Sequence, residues 1–259
     1  MNKNLKNKKL FLLDQDGTLY KGNVLFKATP LFLDEIKKRG GRYVLITNNT
    51  STSDEDYIKK LDKLGIKVTK EEFFTAAQAT VIYLNRYHKG AKVFLVGTES
   101  FRKYLVKEGI NLVESKDAEV ALLSYDRELT YQKLWDLSEL LTLKDIPYIA
   151  TNPDLVCPTT FGFVPDCGSF AHMIKNATGK TPHFIGKPST EFFRLALLKM
   201  NATIEESVVI GDRLYTDILG AINSGITSVL VLSGETKLTD LEKVSYKPDY
   251  VFNDISEIL

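Results

Sequence analysis

The sequence has little of several residue types, and each shortage excludes a class of protein. Its only two cysteines, Cys157 and Cys167, show no Cys-x-x-Cys spacing and are too few for the disulfide framework of a small secreted domain. The three histidines are scattered and show no zinc-site spacing. Neither sign of charge dominates, since 34 Lys and Arg face 33 Asp and Glu. This balance excludes the basic footprint of a nucleic-acid-binding protein.

Long apolar runs are also missing. Only four apolar residues, Leu10–Leu13, follow the lysine-rich start, which is too short for the core of a signal peptide, and no run approaches a membrane span. With so few cysteines, we expect a cytoplasmic protein that acts away from membranes and binds a small molecule. The 259 residues, 44% of them hydrophobic, are enough for one large domain or two smaller ones.

The rest of the chain is organised around the stretch Phe11–Tyr20. Its apolar residues lead directly into Asp14 and Asp16, and Gly17 follows, which is typical of a buried strand that ends at a turn. Ligands of an open parallel sheet bind beyond the carboxyl ends of its strands, so we expect both carboxylates to face a site. The structural alternative is an Asx-type turn that only reverses the chain.

Predicted strands and helices alternate along the chain, as in a doubly wound parallel α/β sheet. The alternation starts afresh over residues 80–182, which predicts a separate α/β unit inserted between residues 1–79 and 183–259 of the outer sheet. Inside the insertion, helical spacing predicts that Trp135 lies in the core. The stretch 151–169 is rich in turn residues and is predicted to be a long functional loop.

Polar side chains follow four predicted strands of the outer sheet, one of which begins at His183. They are Asp14 with Asp16, Thr47 with Asn48, Lys187, and Asp212 with Asp217. Several carboxylates in one crevice repel each other and need a hard divalent cation, for which oxygen-ligated Mg²⁺ is suited. The Thr, Asn and Lys side chains can donate hydrogen bonds to a phosphate. One aspartate is then free to attack phosphorus.

Each of these signals has a structural alternative when it is taken alone. Lys187 precedes a proline and is also typical of a surface lysine at the start of a helix, while Asp217 is also typical of a helix N-cap. Asp212 by itself is equally ambiguous. Their joint occurrence, in one order and at strand ends, favours a catalytic site.

With these motifs, the sequence resembles the haloacid dehalogenase (HAD) superfamily of Mg²⁺-dependent phosphatases along its whole length. The motifs are DxDGT at Asp14–Thr18, TNN at Thr47–Asn49, GKP at Gly186–Pro188 and GDRxxTD at Gly211–Asp217. The insertion resembles the class II cap of the NagD-like subgroup, which includes phosphatases of 4-nitrophenyl phosphate, nucleotides, phosphoglycolate and pyridoxal phosphate. Gln15 departs from the pattern, because an apolar residue is usual between the two aspartates.

The resemblance implies a role for each motif residue. Asp14 is the implied nucleophile that forms an aspartyl-phosphate, and Asp16 the implied acid and base. The residues implied to hold the phosphoryl group are Thr47, Asn48 and Lys187. Those implied to bind Mg²⁺ are Asp14, Asp16 through its main-chain carbonyl, and Asp212, with Asp217 in support.

Substrate choice must come from groups that reach the leaving group, and we expect these in the cap. By the resemblance, the candidates are Tyr125, Asp154 and Cys157, and the enzyme is expected to accept several small phosphomonoesters. A homodimer is a further expectation. One alternative activity is a phosphomutase, although the short interval between Asp14 and Thr47 leaves no room for the helical cap that is usual there. The other is a phosphoacceptor or regulatory module without turnover.

Overall fold

The computed structural model describes residues 1–50, 54–159 and 161–259, which divide into two compact units. The first unit is Met1–Thr47, Asp54–Phe74 and Lys187–Leu259, and the second is Asn48–Ser53 and Thr75–Gly186. The α-helices are α1 (Thr29–Lys38), α2 (Asp54–Lys63), α3 (Ala76–Tyr87), α4 (Glu99–Lys107), α5 (Tyr131–Leu143), α6 (Cys167–Thr178), α7 (Thr190–Met200) and α8 (Leu219–Asn223). The strands are β1 (Leu10–Leu13), β2 (Tyr20–Lys21), β3 (Val24–Leu25), β4 (Arg42–Thr47), β5 (Phe73–Thr75), β6 (Lys92–Val96), β7 (Asn111–Leu112), β8 (Val120–Leu123), β9 (Tyr148–Ala150), β10 (Val156–Thr159), β11 (Gly162–Pro165), β12 (His183–Phe184), β13 (Ser207–Gly211), β14 (Thr227–Val231) and β15 (Tyr250–Phe252).

The sheet of the first unit has the strand order β15-β14-β13-β1-β4-β5. Its central strand β1 is buried along its whole length and pairs in parallel with both β13 and β4. The register places Leu13 opposite both Ile210 and Leu45. Because the three strands run in the same direction, the residues that follow them lie at one edge of the sheet.

Apolar side chains from strands and helices form the core of the first unit. Helix α1 has a proline in its first turn, where no backbone hydrogen bond is lost, and buries Phe32, Leu33 and Ile36. Phe32 meets Phe11 of β1 edge to face, with ring centroids 6.3 Å apart. This packing fixes β1, and therefore the residues at its carboxyl end.

The second unit has its own parallel sheet, in the order β12-β9-β8-β6-β7, and its own core. Strand β8 is buried throughout and pairs in parallel with β6 and β9. Helix α5 contributes Leu137, Leu140 and Leu141 to the core. Parallel sheets with alternating helices confirm the predicted α/β fold class.

Three details differ from the sequence-based predictions. The strand that begins at His183 pairs with β9 of the second sheet, so its assignment to the outer sheet is wrong. The predicted loop at 151–169 contains the antiparallel hairpin β10–β11 and the start of α6, which Asp166 caps. Trp135 is 57% exposed, because α5 buries the side that carries Leu137 and Leu141. Among the described helices, none is long and apolar enough to cross a membrane.

Candidate active site

The backbone hydrogen bonds between β1 and β13 continue for one residue beyond β1 and thereby position Asp14. The Asp14 main-chain N–H donates to the carbonyl of Ile210 at 2.9 Å, and the Asp14 side chain is 13% exposed. Asp16 lies in the turn that follows and is exposed, with its Oδ1 accepting a hydrogen bond from the N–H of Gly22 at 3.4 Å. The two aspartates therefore differ in environment, one enclosed and the other reachable by solvent.

Three aspartates of the first unit form an acidic cluster. Asp14, Asp212 and Asp217 each offer a carboxylate oxygen within 4.8 Å of the others. Asp212 follows β13, and Asp217 lies in the π-helical turn Leu214–Ile218 that precedes α8. Asp212 and Asp217 are buried. Buried carboxylates this close together must be compensated by cations or by protonation.

Lys187 supplies one positive charge to this cluster. Its Nζ donates to Asp14 Oδ1 and to Asp217 Oδ1, both at 2.7 Å, and the residue is 3% exposed. Burial alone would lower the pKa of Lys187, but the charges of Asp14 and Asp217 raise it above its usual value. The lysine is therefore a permanent cation beside both aspartates.

Asp212 is the member of the cluster best suited to hold a metal ion. Its Oδ2 accepts a hydrogen bond from the main-chain N–H of Glu235 at 2.7 Å, whereas its Oδ1 is buried and has no hydrogen-bond partner among the described residues. Burial, reinforced by the charges of Asp14 and Asp217, raises the pKa of Asp212 to about 8. A buried carboxylate oxygen without a donor fits the requirement of a hard cation for oxygen ligands.

Glycines let the backbone pass very close to these carboxylates. A Cβ added at Gly17 or at Gly234 would overlap with the Asp212 carboxylate, and one added at Gly211 would lie 2.5 Å from the Cβ of Asp217. Gly17 also has a φ of +90°, which disfavours other residues. The turn after β1 therefore requires glycine for both its conformation and its space.

Gln15, between the two motif aspartates, points into the protein. It is 3% exposed, and its Oε1 accepts a hydrogen bond from the hydroxyl of Tyr20 at 3.3 Å. Its Nε2 is buried without a partner among the residues described. The unusual residue at this position thus lies in the packing behind the turn and leaves the acidic cluster unaltered.

The remaining predicted residues lie in different units. Thr47, the last residue of β4, is half-buried in the first unit, whereas Asn48 belongs to the second, where its Nδ2 donates to Asp154 Oδ2 at 3.1 Å. Tyr125 and Cys157 are both half-buried in the second unit, and their side chains interact. Burial, and then the adjacent Cys157 thiol, raises the pKa of Tyr125.

Sequence reasoning missed two residues beside the acidic cluster. Arg213 forms an ion pair with Glu235, with 3.0 Å between Nε and Oε2. Burial would lower the pKa of Arg213, but the neighbouring charges, Asp14 first, raise it. Arg213 stands inside the GDR motif and was available as a signal, whereas Glu235 follows a glycine in a loop and carried none.

The chain matches two family models. One describes haloacid dehalogenase-like hydrolases and covers residues 11–111, and the other, of HAD-hydrolase-like proteins, covers residues 184–258. Similar curated proteins include 5'-nucleotidase YutF of Bacillus subtilis, 30% identical over 98% of both chains. The acid sugar phosphatase of Staphylococcus saprophyticus is also 30% identical, again over 98% of both chains.

Solved structures agree with these matches. A 4-nitrophenylphosphatase from Thermotoga maritima superposes with a TM-score of 0.93 at 35% identity, covering 99% of this chain and 98% of the other. NagD from E. coli K-12 superposes with a TM-score of 0.90 at 31% identity, covering 97% and 98% of the two chains. The chain belongs to the haloacid dehalogenase-like hydrolases and is a phosphatase of that family, which confirms the predicted family and enzyme class.

Proposed function

We propose that the protein hydrolyses small phosphate monoesters through an aspartyl-phosphate formed on Asp14. The observation that carries this proposal is the grouping of Asp14, Asp212 and Asp217 at the carboxyl edge of a parallel sheet, with the ammonium of Lys187 paired to Asp14 and Asp217. A nucleophilic carboxylate needs nearby positive charge to approach an anionic ester, and this arrangement provides it.

In the proposed reaction, a carboxylate oxygen of Asp14 attacks phosphorus and the ester P–O bond breaks. Asp16 donates a proton to the departing oxygen and then takes one from a water molecule, whose oxygen attacks the aspartyl-phosphate and restores Asp14. The exposure of Asp16 supports this role, because a proton carrier must reach both leaving group and water. Three residues, Thr47, Asn48 and Lys187, are proposed to hold the phosphoryl oxygens.

Mg²⁺ is the proposed cofactor. The orphan Oδ1 of Asp212 and the excess of carboxylates over lysine in the cluster fit a divalent cation. Asp14, Asp212 and the main-chain carbonyl of Asp16 are proposed to hold the ion, with Asp217 in support. When bound, the ion supplies positive charge that offsets the charge of the phosphoryl group.

We propose nucleoside monophosphates and sugar phosphates as the substrate class, since similar curated proteins are named as a 5'-nucleotidase and as acid sugar phosphatases. The second unit is proposed to act as the cap, where Tyr125 and Cys157 contact the leaving group. A cytoplasmic location, which the low cysteine content supports, and a homodimer are also part of this proposal.

Hydrolysis by the purified protein tests the proposal. With Mg²⁺, 4-nitrophenyl phosphate and a panel of nucleotides and sugar phosphates should release inorganic phosphate over many turnovers, and EDTA should abolish the release. Asp14→Asn should keep the fold and lose several orders of magnitude in kcat, because an amide does not attack phosphorus.

The matched control is Asp34→Asn, which changes an exposed aspartate of α1 in the same way and should leave kcat unchanged. Release of a single equivalent of phosphate would indicate a phosphoacceptor instead. Transfer of phosphate within the substrate, without release, would indicate a phosphomutase. Full activity in EDTA would contradict the metal assignment.

A further inference from the structure

Three segments of the second unit meet around Asn48 and hold both its side chain and its main chain. The Asn48 Nδ2 donates to Asp154 Oδ2 at 3.1 Å, and the Asn152 Nδ2 donates to the Asn48 carbonyl at 3.2 Å. The N–H of Asp154 in turn donates to Asn152 Oδ1 at 3.0 Å. Asn48 is 8% exposed and Asn152 is 1% exposed, so these hydrogen bonds are shielded from water.

Gly186 also packs against Asn48 and the segment that begins at Thr151. Its N–H donates to the carbonyl of Thr151 at 2.8 Å. A Cβ at this position would lie 2.6 Å from Asn48 Oδ1 and 2.7 Å from the Thr151 carbonyl oxygen. Any side chain at residue 186 would therefore displace the amide of Asn48.

A chain of buried hydroxyl groups connects this arrangement to the sheet of the second unit. Thr50 Oγ1 lies 2.8 Å from Ser124 Oγ, and Thr151 Oγ1 donates to Ser124 Oγ at 3.2 Å. Ser124 and Thr151 directly follow β8 and β9 and are fully buried. The segments that hold Asn48 are thus anchored on two adjacent inner strands of that sheet, β8 and β9.

The chemistry of Asp154 determines how the Asn48 amide is oriented. A carboxylate can only accept hydrogen bonds, so the amide must turn its nitrogen, and not its oxygen, toward Asp154. An asparagine at 154 would remove this constraint, because it can both donate and accept. A carboxylate placed against an anionic ester would also repel it, whereas a carboxylate bonded to Asn48 has a structural reason to be there.

We propose that Asp154 and Asn152 are positioning residues that fix the Asn48 amide for the phosphoryl group, and that Asp154 does not contact the leaving group. The proposal rests on the proposed function, in which Asn48 holds a phosphoryl oxygen. It revises the expectation that Asp154 selects the substrate. Because every substrate has the same phosphoryl group, the loss of Asp154 must affect all substrates alike.

Four variants test the proposal: Asp154→Asn, Asp154→Ala, Asn48→Ala and the double variant Asn48→Ala/Asp154→Ala. Two quantities are measured for each, the inhibition constant of orthophosphate and kcat/KM for two esters with different leaving groups, 4-nitrophenyl phosphate and a nucleoside monophosphate. Loss of one hydrogen bond to a charged group predicts a change of about tenfold in each quantity. Asp154→Asn and Asp154→Ala should raise the inhibition constant of orthophosphate and lower kcat/KM for both esters by this common factor. The double variant should show no larger change than Asn48→Ala.

The matched control is Asp145→Ala, which removes a carboxylate of the second unit whose side chain is 98% exposed, and it should change neither quantity. Urea midpoints separate positioning from a loss of folding, and the nearly isosteric Asp154→Asn keeps the test usable if Asp154→Ala unfolds. Unequal factors for the two esters with unchanged orthophosphate affinity would overturn the proposal in favour of a leaving-group contact. Additive losses in the double variant would overturn it as well. A wild-type protein that hydrolyses no ester would instead refute the proposed function.

Discussion

A single side chain, Lys187, compensates much of the charge in the candidate active site. Its ammonium lies 2.7 Å from carboxylate oxygens of both Asp14 and Asp217, and all three groups are largely withdrawn from water. An isolated charge in such a place is unstable, so the lysine and the two aspartates depend on one another. The same contacts keep the nucleophile candidate next to a cation before any substrate arrives.

At this scale we predict that Lys187→Met destabilises the protein strongly. Methionine keeps much of the length of the side chain but leaves Asp14 and Asp217 without their ammonium partner, and breaking a buried pair in this way costs about 3–5 kcal/mol. Urea unfolding of the metal-free protein measures the loss. Lys27→Met is the control, because Lys27 is exposed, and its midpoint should match the wild type. Equal midpoints for both variants would show that the ion pairs contribute nothing.

The element that shapes the site is the turn between β1 and the hairpin β2–β3. The N–H of Gly17 donates to the carbonyl of Tyr20 at 2.7 Å, and its own carbonyl accepts a hydrogen bond from Ser233 Oγ at 2.7 Å. This holds the turn against the loop that carries Gly234 and supports Asp212. A change in the turn therefore acts directly on the carboxylate that is best placed to bind a metal.

At the scale of this element, Gly17→Ala should raise the Mg²⁺ concentration needed for half-maximal activity and should lower stability. Gly22→Ala is a matched control, since Gly22 also has a positive φ, +60°, but a Cβ there would meet nothing within 4 Å. In both variants the strained backbone conformation lowers the free energy of unfolding by about 1 kcal/mol. Only Gly17→Ala also displaces the Asp212 carboxylate. The same Mg²⁺ requirement in both variants would contradict this account of the turn.

At the scale of the whole molecule, the first unit carries buried charge that a metal ion would relieve. Without metal, the pKa of Asp212 is raised from 3.8 to about 8, with burial as the main cause. Between these two values the folded state binds more protons than the unfolded state. This group therefore lowers the stability of the metal-free protein as the pH rises from about 4 to 8.

We predict that Mg²⁺ raises the thermal midpoint, and more so at pH 8 than at pH 5. The ion requires deprotonated ligands and binds the folded state only, so its stabilisation grows over the range in which Asp212 loses its proton. Thermal scans with EDTA or Mg²⁺ at several pH values measure the difference. Asp212→Asn should abolish the Mg²⁺ response, and Asp34→Asn should retain it. If the increase in thermal midpoint that Mg²⁺ causes did not vary with pH, the role of Asp212 would be contradicted.

The order of motifs along the sequence was enough to predict the fold class and the family. Apolar runs that end in polar residues predict buried parallel strands, and parallel strands present their carboxyl ends at one edge. This local regularity alone places Asp14, after β1, near Asp212, after β13. The prediction needed only the direction of the strands, because a helix that connects two successive strands lets them run in parallel.

Contacts between distant parts of the chain were decided only by the tertiary structure. Lys187 meets Asp14 across 173 positions, and Asn48 meets Asp154 across 106, and no periodicity in the sequence records either pairing. The same holds for the two-residue strand β12, whose sheet is chosen by its partner β9, and for Trp135, whose exposure depends on which side of α5 is covered. A sequence pattern specifies which side chains each element presents, but which group each side chain meets depends on how the elements pack.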